Sequence, residues 1–96
     1  MDIKALQEEI DAVSVLLYQN QEQEALLQMT RLFAKLKTVT DALQGVYDSD
    51  RQQIVSFVAT MYQVLYEAYQ HKDMLGMADG LQEYAVLATE LYKVKC

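Results

Sequence analysis

Apolar residues recur at spacings of three and four through almost the whole chain, and no proline interrupts them. A side chain returns to one side of an α-helix about every 3.6 residues, so this spacing draws an apolar stripe along a helix. Ile3, Leu6, Ile10, Val13 and Leu17 make the first stripe. Ala25, Met29, Leu32, Leu36, Val39 and Leu43 make the second, widened by Leu26 and Phe33. Ile54, Val58, Met61, Leu65 and Ala68 make the third, with Tyr62, Tyr66 and Tyr69 alongside. Met77, Leu81, Tyr84, Ala88 and Leu91 make the fourth. β-Branched residues are outnumbered by Leu, Ala, Gln, Glu and Met, which also favours helix.

The breaks between stripes place the turns. Asp2 is a candidate N-cap, and the first stripe ends in the polar run around Asn20. Gly45 reads as the stop of the second helix, before the loop segment GVYDSD. Ser49 with Gln52 has the spacing of a capping box, and Asp48 competes as the cap. Asp73 caps the fourth segment after the short connection YQHKD. The expectation is one domain of four helices, over about 2–19, 23–44, 49–70 and 73–94. Short connections make sequential helices antiparallel neighbours, giving an all-α, up-down-up-down four-helix bundle of two helical hairpins. Shifting the chain by 48 positions lays Leu17 on Leu65, Tyr18 on Tyr66, Met29 on Met77 and Leu43 on Leu91. A duplicated hairpin would give this pattern, and so would any two amphipathic hairpins. The same shift sets Gly80 opposite Leu32 in mid-helix, so Gly80 is expected to be helical.

Charge narrows the function classes. The net charge is −6 and the pI about 4.5. An acidic surface repels phosphate backbones and anionic lipid, so neither nucleic acid nor membrane is expected as a partner. The single cysteine, Cys96, allows no intrachain disulfide. The opening MDIKALQEEI lacks the basic-then-apolar pattern of a signal peptide, and no uncharged apolar run nears the ~18 residues of a membrane span. The simplest reading of these features is a cytoplasmic protein; export by a route that uses no N-terminal signal is the alternative.

Residues for catalysis are sparse. His71 is the only histidine, four positions after Glu67, and no second ligand motif accompanies it. Cys96 has no helix N-terminus to activate it, although Lys93 and Lys95 are near. Asp79 and Glu83 read as a solvated helix face. There is no phosphate-binding glycine loop, no Ser-His-Asp set and no Cys-x-x-Cys. No catalytic, cofactor or metal residue is assigned, and an enzyme is not expected.

What remains is contact surface. The chain has seven tyrosines and no tryptophan. A tyrosine buries its ring while its hydroxyl stays wet, which suits the rim of a core or an interface. Tyr62, Tyr66 and Tyr69 share one side of the third helix, and Tyr84 stands on the fourth. Met29, Met61, Met74 and Met77 hold apolar positions, where methionine fills irregular gaps. Gly76 and Gly80 each cost about 1 kcal/mol against alanine in a helix interior. Close approach of a neighbouring helix would offset that, and so would a shallow docking trough. Tyr62, Tyr66, Tyr69, Gly76, Gly80 and Tyr84 are therefore the candidate partner-binding residues. Glu8, Glu9 and Asp11 on the first helix should approach Arg31, Lys35 and Lys37 on the second.

The segment from Leu65 to Tyr92, LYEAYQHKDMLGMADGLQEYAVLATELY, resembles the last two helices of the flagellar secretion chaperones that guard flagellin. Ala68, Lys72, Asp73, Leu81, Leu87, Leu91 and Tyr92 carry the likeness. Tyr69 stands where that family usually has asparagine. The family's longer N-terminal arm and early Leu-Tyr-Asp-Gly run are absent, since Leu17-Tyr18 leads into Gln19-Asn20. Asp73, Leu75, Ala78, Asp79, Leu81, Glu83 and Tyr84 also look like a string in small uncharacterised bacterial helical-bundle proteins. This second likeness implies a fold and no function; the first implies a helical fold and chaperone-like protein binding, and neither carries over a binding site. The expected function is a chaperone- or adaptor-like bundle holding an apolar helix of a partner. The alternative is a homodimeric structural or regulatory bundle with no separate client.

Overall fold

The computed structural model describes residues 2–47 and 50–95. These residues form an all-α, up-down-up-down bundle of four helices, with no strand among them. Helix α1 spans Ile3–Tyr18, α2 Glu22–Val46 and α3 Arg51–Gln70. The fourth helix is continuous but has three parts: α4 over Met74–Gly80, a π turn over Leu81–Ala85, and α5 over Val86–Lys95.

The helix ends follow local chemistry. Asp2 Oδ1 accepts the Ala5 N–H at 3.1 Å, and Asp73 Oδ1 accepts the Gly76 N–H at 2.9 Å. Each carboxylate thus satisfies a donor that the first turn leaves free. The α1–α2 and α3–α4 turns are built alike. Asn20 N–H bonds the Leu17 carbonyl while Gln21 N–H bonds that of Leu16. Lys72 N–H bonds Tyr69 and Asp73 N–H bonds Ala68 in the same pattern. Both are Schellman closures, with Asn20 at φ 58° and Lys72 at φ 52°. The two turns lie 52 positions apart, one helical turn beyond the 48-position shift that aligns the identities.

Asparagine tolerates the left-handed region, but lysine carries a Cβ penalty there that glycine lacks. Lys72→Gly is therefore expected to stabilise the bundle by about 0.5–1 kcal/mol, read as a shift of the urea midpoint. The exposed 3.6 Å contact of Lys72 with Glu22 contributes little against this.

Two boundaries differ from the sequence pattern. Helix α2 runs through Gly45 to Val46, and Gly45 has no left-handed φ with which to stop it. The helix ends instead at Tyr47, whose hydroxyl donates to the Leu91 carbonyl at 3.2 Å. Asp50 holds the N-cap position of α3 without a side-chain bond. The candidate caps Asp48 and Ser49 lie outside the described residues, as does Cys96.

The stripes meet in one core. Ile10, Leu17, Leu32, Leu36, Met61, Leu65, Met77 and Leu81 are sealed from solvent. Burying one such side chain stabilises by roughly 1.5–3 kcal/mol. Helix α1 lies between α2 and the fourth helix. Its seam with the fourth helix is polar. Gln82 Nε2 donates to Asp11 and Ser14 at 3.1 and 3.0 Å, and Gln7 Nε2 donates to Thr89 and Glu90 at 2.9 and 2.8 Å. These bonds fix the register of α1 against the fourth helix.

The π turn was not legible in the sequence and has a packing consequence. Its wider winding is closed by the Val86 N–H on the Leu81 carbonyl. Before it, α4 packs on α1 and α3; after it, α5 packs on α1 and α2. The fourth helix thus changes one neighbour at the π turn, and α5 leans off the start of α3. Among the adjacent pairs, α2 and α3 meet most sparsely.

Candidate functional site

The sparse α2–α3 face is filled by rings. Tyr62, Tyr66 and Tyr69 stand at spacings of four and three on the side of α3 that faces α2. Phe33 of α2 enters between them. Its ring stacks on Tyr66 with centroids 4.7 Å apart and meets Tyr69 edge-on at 5.9 Å. Tyr62 stacks on Tyr66 at 5.6 Å. Such contacts add about 0.5–1.5 kcal/mol each beyond burial.

Beside this stack runs a groove of about 470 Å³, floored by Val58, Phe33 and Tyr62 and bounded by Ala34, Lys37, Thr40, Asp41, Gln44 and Tyr66. Lys37 Nζ and Asp41 Oδ2 pair along α2 at 2.8 Å on its rim. The hydrogen bond and charge of Asp41 raise the pKa of Lys37, which keeps the lysine charged. Thr40 Oγ1 donates to the Lys37 carbonyl at 3.1 Å, which leaves Tyr62 as donor in the 3.1 Å bond between the two hydroxyls. Tyr66 is 48% exposed, while Phe33, Tyr62 and Tyr69 are half-buried.

Burial raises the Tyr62 pKa above the ordinary 10.0. A raised pKa means the folded state holds the phenolic proton more tightly than the unfolded state does. This contribution to stability is complete below pH 10.0 and is lost as pH climbs through the folded value. Alkaline unfolding is therefore expected to set in at higher pH in Tyr62→Phe than in the wild type. Helicity followed against pH, beside phenolate absorbance, checks this.

The other sequence candidates do not join this groove. Gly80 is buried in α4, and a Cβ there would lie 2.9 Å from Leu65 Cδ2 and 3.2 Å from Val64 Cγ1. It is a close-packing position between α4 and α3. Gly76 does not bring a neighbouring helix closer; what an added Cβ would meet is the Asp73 carboxylate that caps its own helix. Tyr84, in the π turn, faces Phe57 of α3 at 6.0 Å. With Gln52, Gln53, Ser56 and Thr60 they line a broad polar depression that α5 leaves open. The six candidates thus fall in four places, of which only the first gathers several of them.

His71 and Glu67 line a separate depression of about 350 Å³ with Val64, Ala68, Asp73 and Gly76. Among the described residues, no three of His, Cys, Asp or Glu converge as a metal site. Of the acidic and basic groups on α1 and α2, Glu9 and Lys35 meet, at 2.6 Å. Sequence reasoning set Lys37 against the acidic groups of α1, whereas it pairs with Asp41 along α2, and it gave no role to Thr40 or Asp41. A threonine and an exposed ion pair carry no periodic signal that marks a groove.

The fold and this face define a small helical bundle with an aromatic trough along one side. No family model matches the chain, and no curated protein and no solved structure matches it significantly. No described helix is long and apolar enough to cross a membrane.

Proposed function

We propose that this chain is a small cytoplasmic protein-binding bundle, chaperone- or adaptor-like, which holds an apolar helix of a partner along the α2–α3 face. The observation that carries this reading is the aromatic groove. Its rings are ordered by stacking but incompletely covered, and an amphipathic helix presents side chains at the spacing that fills such a trough. Tyr66 supplies an exposed, rigid anchor of the kind that dominates interfaces. The resemblance of Leu65–Tyr92 to flagellin chaperones points the same way, toward capture of a helical client. The acidic surface favours a protein over nucleic acid or anionic lipid. We take the role to be binding and not catalysis: the chain's one histidine sits beside Glu67 on a solvent-exposed rim.

Co-purification from the native cell tests this. A near-stoichiometric protein should accompany the wild type and Glu83→Gln, and be lost from a Tyr66→Ser, Tyr69→Ser double variant that retains its helicity. Undiminished capture by the double variant would sink the groove as the binding surface.

A further inference from the structure

We infer that, without a client, the α2–α3 face is closed by a second copy of this chain, paired about a two-fold axis beside Lys37 and Asp41. This rests on reading that face as the contact surface and names the occupant it takes by default. Charge distribution is the first argument. On a chain of net charge −6, the only charged residues lining the groove are Lys37 and Asp41. Alongside it by helical spacing, Thr30, Val55, Ala59, Gln63 and Gln70 are exposed and uncharged, Arg31 and Arg51 are basic and Glu67 is acidic, so the surround carries no acidic excess. Asp11, Asp79 and Glu90 bond within the α1–fourth-helix seam, on the opposite side of the bundle. Two copies meeting through α2–α3 therefore hold their acidic sides apart. Scarce charge with abundant aromatic surface is also how the centre of an interface differs from the rest of a surface.

The second argument is self-complementarity. A two-fold contact must pair each residue with its own counterpart reciprocally. Lys37 and Asp41 lie one turn apart with opposite charge, both well exposed. An antiparallel approach of two α2 helices, centred between these residues, sets each Lys37 against Asp41 of the second copy, twice over. It also brings the protruding Tyr66 of each copy beside the trough of the other, with Ala34 and Ala59 small enough to let the helices close in.

Sedimentation equilibrium tests this with the wild type, K37D, D41K and an equal mixture of the two variants. The wild type is expected at dimer mass by about 100 μM, a concentration that even modest specific affinity saturates. Each variant alone should sediment as a helical monomer, with self-association weakened at least tenfold, because like charges then face across the axis. D41K makes the chain less acidic overall, so general repulsion predicts the opposite for it. The mixture should recover dimer mass, the acidic site of one variant meeting the basic site of the other. A monomeric wild type at that concentration, dimeric single variants, or a mixture that stays monomeric would each overturn the proposal. A monomeric wild type that still loses its client on Tyr66→Ser, Tyr69→Ser would leave the groove reading standing while removing this one.

Discussion

Leu65→Ala is expected to cost the bundle about 3 kcal/mol or more, and Gly80→Ala should then turn from harmful to helpful. Leu65 is fully buried and its Cδ2 lies nearest to where a Gly80 Cβ would stand, at 2.9 Å. Truncating it removes transfer free energy and leaves a cavity that a close-packed interior only partly fills. For a chain of this size the loss corresponds to a drop in Tm of roughly 12–24 °C. In the wild type, Gly80→Ala gains about 1 kcal/mol of helix propensity but forces Leu65 and Val64 apart, against an overpacking cost of about 1–3 kcal/mol. The net effect should be a loss. With Leu65 shortened, the added methyl enters vacant space and the propensity gain remains. The two changes should therefore couple by at least about 1 kcal/mol in a double-mutant cycle measured by urea unfolding. Additive effects would contradict the packing described for α3 and α4. Gly76→Ala provides the contrast. The Asp73 carboxylate must move off a new Cβ and so weaken the cap bond it accepts from the Gly76 N–H, a loss that roughly matches the helix propensity alanine gains, so the change should stay within about 0.5 kcal/mol of neutral.

Tyr66→Ser should separate binding from stability. The ring is 48% exposed and stacks on Phe33 and Tyr62. Losing two partly exposed aromatic contacts should lower folding stability by about 1–2 kcal/mol, which a domain with ~5–15 kcal/mol tolerates. An aromatic anchor at the centre of an interface commonly contributes 2 kcal/mol or more to binding, so affinity for the occupant of the groove should fall roughly thirtyfold. Val15→Ser is the matched control: Val15 is also about half exposed, at 51%, but stands on α1, which packs on α2 and the fourth helix and contributes nothing to the groove. It should leave affinity within about twofold. Isothermal titration with the captured client, or the dimer constant from sedimentation, reads both variants. Equal effects from Tyr66 and Val15 would mean that general apolar exposure, and not this groove, drives association.

The bundle itself was legible because its signal is periodic. Each apolar stripe identified a buried face, and Asp2 and Asp73 cap their helices as their positions implied. Gly45 misled because glycine stops a helix only where the backbone turns left-handed. Here the backbone leaves the helix at Tyr47, whose side chain is tied to the Leu91 carbonyl. Gly76 and Gly80 looked equivalent in sequence, yet one accommodates its own cap and the other a neighbouring leucine. That difference depends on which helix faces which, and spacing along one helix does not encode it. The same limit hid the π turn and the change of neighbour it brings. Tyrosine spacing placed Tyr62, Tyr66 and Tyr69 on one side of α3, but the polar rim around them emerged only when α2 was set beside them.

A photo-crosslinking side chain placed in turn at Tyr66, Ala59 and Gln63, and at Glu83 as a reference on the fourth helix, tests most directly whether α2–α3 is the contact surface. Irradiated in the native cell, the three α3 positions should give one discrete adduct, with client or with a second copy, and position 83 should give none. Adducts of equal yield at 83, or none at the α3 positions, would contradict the assignment of this face.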